Sequence, residues 1–245
     1  MDKQDRVNFK LGAKQQVSNN FKFYLLLSIL WMAMQWIGGS MYARDLNWAE
    51  RVLSDGSATV GWNGFFSFAG LFFLVASMLR MGVRLTMIDL DRGKIEADNP
   101  IQRSFALFDK GQYFLGWIFI SILTGIFVAL WSLLFVFPGI IKAYAYSQAF
   151  YIYRDAVDRG EKMTALEAIT ASRKLMDGNK AFLFIMDLSF ILWFMVEAIT
   201  FNIAGLFVNP YYDLTRAKFY NQLVVRQQDV PGGTRFTAPG HESEN

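Results

Sequence analysis

Six apolar runs, each near the length needed to cross a lipid bilayer, constrain this chain more than any other feature of its sequence. They run from Phe21 to about Met41, Gly61 to Ile88, Gln112 to Phe137, Ile140 to Tyr153, Ala181 to Ile203, and Gly205 to Val225. A hydrocarbon core of about 30 Å takes roughly 20 apolar residues of helix. With 53% hydrophobic and 17% aromatic residues, the chain is too apolar for an ordinary soluble domain. The fold class expected is all-α: a polytopic membrane protein with six transmembrane helices arranged as three hairpins. Breaks are expected at Pro138-Gly139, between the third and fourth runs, and at Asn209-Pro210, between the fifth and sixth, because proline lacks an N–H and clashes with the preceding turn.

Cations orient such a chain, since Lys and Arg flanking membrane helices stay in the cytoplasm. With the N-terminus inside, 21 of the 24 Lys and Arg fall on the inner half, and only Arg44, Arg51 and Lys142 fall outside it. Both termini are therefore expected in the cytoplasm, across a bacterial cytoplasmic membrane. A cleaved leader ending at Gly38-Gly39-Ser40 is disfavoured by the acidic Asp2 and Asp5, the long polar lead and the five later runs,. The expected division is a cytoplasmic amphipathic lead at 1–20, a transmembrane domain at 21–228 and a disordered cytoplasmic tail at 229–245, where little apolar surface is available to bury.

A repeated unit emerges from the intervals. Each hairpin follows a short segment with helical apolar spacing: Val7 to Asn20, Asn99 to Lys110, and Thr164 to Met176. In the third, Thr164 and Glu167 form a capping box, and Ala165, Ala168, Ile169, Ser172, Leu175 and Met176 make one stripe. In the second, Asn99 caps Pro100 at the first helical position, with Ile101, Phe105 and Phe108 following. With cations on the opposite face, these read as amphipathic helices on the inner leaflet, in contact with anionic lipids.

Several chemistries are excluded by residue type. Cysteine is absent, and the one histidine, His241, lies in the polar tail. Thiol catalysis, iron–sulfur clusters, a His-assisted serine and a His-ligated zinc inside the membrane all fall away. Phosphate loops lack their glycine spacing, and the cations follow the membrane edge rather than a nucleic-acid patch. No cofactor and no metal are expected.

The C-terminal third carries Met176-Asp177-Gly178-Asn179-Lys180, Asp187-Leu188-Ser189-Phe190, Asn209-Pro210-Tyr211, Thr215, Ala217 and Phe219-Tyr220. The middle carries Phe137-Pro138-Gly139-Ile140-Ile141-Lys142, Tyr146-Ser147 and Leu90-Asp91-Arg92-Gly93. In this combination the chain, from about Lys14 to Leu223, resembles an uncharacterised family of bacterial six-helix membrane proteins, the domain of unknown function nine hundred seventy-five. It departs at Ile191, where a glycine is expected ahead of Trp193. The resemblance implies a fold and a location and no activity.

Depth along the helices singles out the candidate site. At 1.5 Å per residue, Asp187 lies roughly 10 Å and Arg216 about 15 Å from the cytoplasmic edge, so they can pair; Glu197, roughly 25 Å in, and Lys142, about 18 Å in, form a looser second pair. A lone charge near the bilayer centre costs on the order of 2.5 to 3.5 kcal/mol. Asp187, Ser189, Asn209, Thr215, Arg216 and Tyr220 therefore make a candidate polar cluster, either a ligand pocket or a set of caps and pairs that fixes helices against one another. The expected function is a non-enzymatic envelope scaffold or accessory protein with an unidentified membrane-protein partner. The alternative is a transporter or channel component for a small molecule, ion or lipid.

Overall fold

The computed structural model describes residues 1–54 and 68–228, and every regular element among them is helical. The expected disordered tail, His241, and the start of the second apolar run lie outside the described residues. Four stretches are long and apolar enough to cross a membrane. They are Phe21–Arg44 of α2 (Phe21–Ser54), α3 (Phe68–Asp91), α5 (Gly111–Leu134), and Lys180–Ile199, which joins α9 (Lys180–Leu188) to α10 (Ile191–Ile199). Their apolar side chains are widely exposed on one side, among them Leu115, Phe119, Ile122, Ile126 and Leu130 of α5, as helices facing lipid require.

The other two expected spans differ from that pattern for separate reasons. The fourth run is divided into α6 (Val136–Tyr146) and α7 (Ala149–Asp158) by a turn at Ser147 and Gln148. The sixth is one helix, α11 (Gly205–Gln228), whose polar residues keep it below the hydropathy of a span. Protein rather than lipid surrounds it: it packs on α1 (Lys3–Asn19), α2, α3 and α10, and Asn209 through Thr215 are all buried. A helix shielded by its neighbours has no need to be apolar all round.

Both expected proline breaks are displaced. The chain turns between α5 and α6 at Phe135, whose backbone is extended, and Pro138 sits inside the first turn of α6, where its missing N–H would be unbonded anyway. Gly139 serves contact instead, because a Cβ there would collide with the Ser132 side chain across the α5–α6 interface. Pro210 lies within α11, in its second turn. The reversal before α11 falls earlier, at Phe201 and Asn202, with φ of 51° and 66°. Asn adopts this left-handed region readily, a bulky Phe uncommonly.

The three short connecting segments also take defined forms. α1 starts with a capping box between Asp2 and Asp5 and buries Ala13 and Val17, packing mainly against α11. The second segment is broken into a single helical turn, α4 (Pro100–Arg103), and a 3-10 turn, Ala106–Phe108, and the Asn99 side chain makes no capping bond. Ser104 and Leu107 are buried, while Ile101, Phe105 and Phe108 stay exposed. In α8 (Ala165–Leu175) the expected capping box of Thr164 and Glu167 is present. Its stripe of Ala168, Ile169, Ser172 and Leu175 is buried among α5, α6 and α7, so protein takes the face that sequence assigns to lipid.

Candidate functional site

Arg80 and Arg84, four residues apart, share one face of α3, and α11 sets Asp213 against both. Asp213 is 1% exposed. Its Oδ2 accepts from Arg80 Nε at 3.0 Å, and its Oδ1 from Arg80 Nη2 at 3.2 Å and Arg84 Nε at 3.0 Å. The Arg80 guanidinium also lies over the Trp31 ring, 4.5 Å from its centroid, a favourable cation–π geometry. Two guanidinium charges thus share one carboxylate. Sequence reasoning missed this centre because it took Arg80 and Arg84 as inner-edge cations; their i, i+4 spacing inside an apolar run was the available signal.

The expected cluster is distributed over several centres. Asp187 does meet Arg216, with Nη1 3.3 Å from Oδ2. Tyr144 and Tyr212 donate their hydroxyls to the same carboxylate at 3.1 and 3.2 Å, and Arg216 Nη1 donates to the Tyr212 oxygen at 2.7 Å. Ser189 bonds the Met186 carbonyl and accepts from Lys10 of α1 at 3.1 Å. Thr215 bonds back to the Tyr211 carbonyl at 2.7 Å, a local contact within its own helix. Asn209 donates to Glu197 Oε1 at 2.8 Å and to the Gly205 carbonyl at 3.2 Å.

Glu197 and Lys142 do not pair. Glu197 is held by Asn209, whereas the Lys142 ammonium lies 4.4 Å over the Trp131 ring. Lys142 also lines a small cavity of about 290 Å³ with Arg173, Lys174 and Lys180. Counting depth from Arg154 treats the fourth run as one helix, which the turn at Ser147 and Gln148 divides.

Tyr220 belongs to a further network between α3, α7 and α11. It donates to Asp155 Oδ2 at 2.7 Å, and Arg92 grips both oxygens of Asp155 at 2.9 and 2.7 Å. Arg154, 5% exposed, pairs with Asp89, with Asp155 at 3.4 Å and with Asp158 at 3.0 Å. Burial raises the Asp158 carboxyl, but bonds from Tyr113 and Lys110 and the Arg154 charge outweigh it and leave it below its usual value. Lys218 pairs with Asp91. These contacts clamp helices together, although Asp89 Oδ1 is buried without a hydrogen-bond partner.

Between α2, α3, α10 and α11 lies a cavity of about 930 Å³. Trp31 and Ala43, both on its wall, are twelve residues apart on α2, so it runs about 18 Å along the helices. Its lining joins Arg80, Arg84, Tyr212, Glu197 and Asn209 with the apolar Trp31, Trp36, Phe73 and Phe194 and the polar Gln35, Ser40 and Asn202. Of the expected cluster, Asn209 lines this space, as does Glu197 of the expected second pair. Among the described residues no group of three or more His, Asp or Glu could hold a metal ion.

Residues 133–227 match the family model described as Protein of unknown function (DUF975). The resemblance read from the sequence holds over that stretch. It takes in Asp187, Glu197, Asn209, Asp213 and Arg216 and leaves out Arg80 and Arg84, so the cavity is built from matched and unmatched parts of the chain. No curated protein and no solved structure matches the chain.

Proposed function

We propose that this is a polytopic protein of the bacterial cytoplasmic membrane whose cavity accepts a ligand, placing it in the transporter or carrier class. The observation that carries this reading is the 930 Å³ space with two guanidinium groups against a single carboxylate at its wall. A scaffold needs helix clamps, which the Arg92–Asp155 and Arg154–Asp89 pairs supply elsewhere; it has no use for a charged cavity beside them. The role is non-enzymatic: both oxygens of Asp213 already accept from arginines, and Glu197 is bonded to Asn209, so neither acid is poised to move a proton.

The membrane arrangement belongs to the same proposal. α2 with α3, α5 with α6, and α9–α10 with α11 form three hairpins, six crossings in all, with both termini in the cytoplasm. Pairwise packing of these helices supports it, as does the distribution of cations. The apolar Ile101, Phe105 and Phe108 and the exposed positions of α1 then face the inner leaflet and its anionic lipids.

Proteoliposomes carrying the purified chain, placed on a solid-supported membrane and exposed to a panel of small carboxylates, phosphates and lipid-like acids, test the reading. Charge movement above protein-free liposomes is expected for at least one acidic solute. Silence across the panel overturns the carrier and leaves the scaffold.

A further inference from the structure

We infer that the cavity between α2, α3, α10 and α11 takes an anionic head group borne on an apolar tail, with Arg84 as its anchor; this rests on reading the cavity as a ligand site. Asp213 is saturated by three N–H donors, and only one of them comes from Arg84, through Nε. The two terminal nitrogens of Arg84 have no acceptor among the described residues, and Arg84 lines the cavity with its side chain 26% exposed. Of the two guanidinium charges at Asp213 only one is offset there, and an anion makes short, charge-assisted bonds to the other,. Trp31, which also lines the cavity, has a buried Nε1 with no hydrogen-bond partner among the described residues.

The remainder of the space sets the ligand's other half. Trp31, Met32, Trp36, Ala43, Phe73, Phe194 and Phe201 offer apolar surface in a cavity about 18 Å long, interrupted on α2 by Gln35 and Ser40,; a bare phosphate would leave that surface unfilled and an alkyl chain would cover it. Glu197, in the same lining, disfavours a second negative group,. The ligand is therefore a single-headed acid with a tail.

Native mass spectrometry of the full chain in a neutral detergent tests this with three probes: dodecyl phosphate, inorganic phosphate and dodecyltrimethylammonium. One dodecyl phosphate should bind, at least about tenfold more tightly than to Arg84→Gln. Gly39→Leu provides a variant that leaves the arginines alone: Gly39 lines the cavity and a Cβ there meets nothing within 4 Å, so the leucine fills the space without disturbing the fold and should also abolish binding. Unchanged binding in either variant overturns the inference. So does equal retention of inorganic phosphate, which makes the ligand a free anion, or of the ammonium probe, which makes the tail sufficient. Tight dodecyl phosphate binding by a chain that moves no charge in proteoliposomes sinks the carrier and leaves this site standing.

Discussion

Replacing Asp213 by leucine tests the centre on which the cavity depends. The carboxylate is 1% exposed and accepts three N–H bonds from two arginines. Leucine keeps the same branched skeleton of four side-chain heavy atoms but removes the charge: it strands two guanidinium groups between packed helices. Removing one partner of a buried ion pair costs about 3 to 5 kcal/mol. Arg80 keeps its seat over Trp31, which retains about 0.5 to 2 kcal/mol of its interaction, so the lower half of the range is expected. For a chain of this size each kcal/mol moves the melting midpoint by about 2 to 4 °C, giving a fall of about 6 to 16 °C. Thermal unfolding in detergent, followed by the fraction of protein remaining monodisperse, measures it. The triple change Asp213→Leu, Arg80→Leu, Arg84→Leu should recover much of the loss, since a well-packed apolar set replaces a buried ionic one at little cost. A midpoint within about 2 °C of the parent for Asp213→Leu alone would mean that water screens the arginines, and the charged cavity wall would have to be abandoned.

Three other outcomes follow from the same geometry. Asp187→Leu should cost about 3 to 5 kcal/mol, and adding Arg216→Leu should restore only part, because the hydroxyls of Tyr144 and Tyr212 lose their acceptor as well,; full recovery in a double-mutant cycle would show those hydroxyls to be irrelevant. Gly82→Ala should destabilise by about 1 to 3 kcal/mol because its Cβ would strike the Ser104 carbonyl, whereas Gly125→Ala, open on all sides, should be neutral or slightly stabilising,; equal melting points would refute the close approach. Asp158 has a lowered folded-state pKa, so its contribution is complete at neutral pH and fades only as pH falls below about 4. Asp158→Asn should lower the melting point at pH 7, with the gap narrowing only as pH falls below about 4; a gap that instead closes between pH 7 and 5 contradicts the sign.

Much of the architecture was legible because it rests on local signals. Apolar runs, the Thr164–Glu167 capping box and the 1.5 Å rise of a helix suffice to find the long apolar helices and to bring Asp187 to Arg216. The displaced breaks were not legible, since a proline in the first or second turn of a helix is as acceptable as one before it, and only the backbone at Phe135, Phe201 and Asn202 decides between them. Nor was the centre at Asp213. Its partners lie 129 and 133 residues away, and counting depth from each helix end says nothing about which faces meet. The rule that assigns cations to the inner edge actively hid Arg80 and Arg84, because it explains them before a partner is sought.

α11 shows how these charges come to be tolerated at all. A lone helix carrying Asn209, Asp213, Arg216, Lys218 and Asn221 would cross a bilayer at a cost of several kcal/mol for each charged residue near its centre. Here the partners are spread over three neighbours: Asn209 on α10, Arg216 on α9, and Asp213, Lys218 and Asn221 on α3, the last two at its C-terminal end. No single neighbour offsets the whole helix. α11 is therefore held by α3, α9 and α10 together, and each of those contacts offsets part of the cost of its polar residues. The cavity lies on the side of α11 where this mutual neutralisation is incomplete, with Arg84 bonded by one nitrogen and Glu197 bonded only to an amide. Among the described residues Arg84 keeps two nitrogens without an acceptor at this cavity, and a ligand with an anionic head is the partner it lacks.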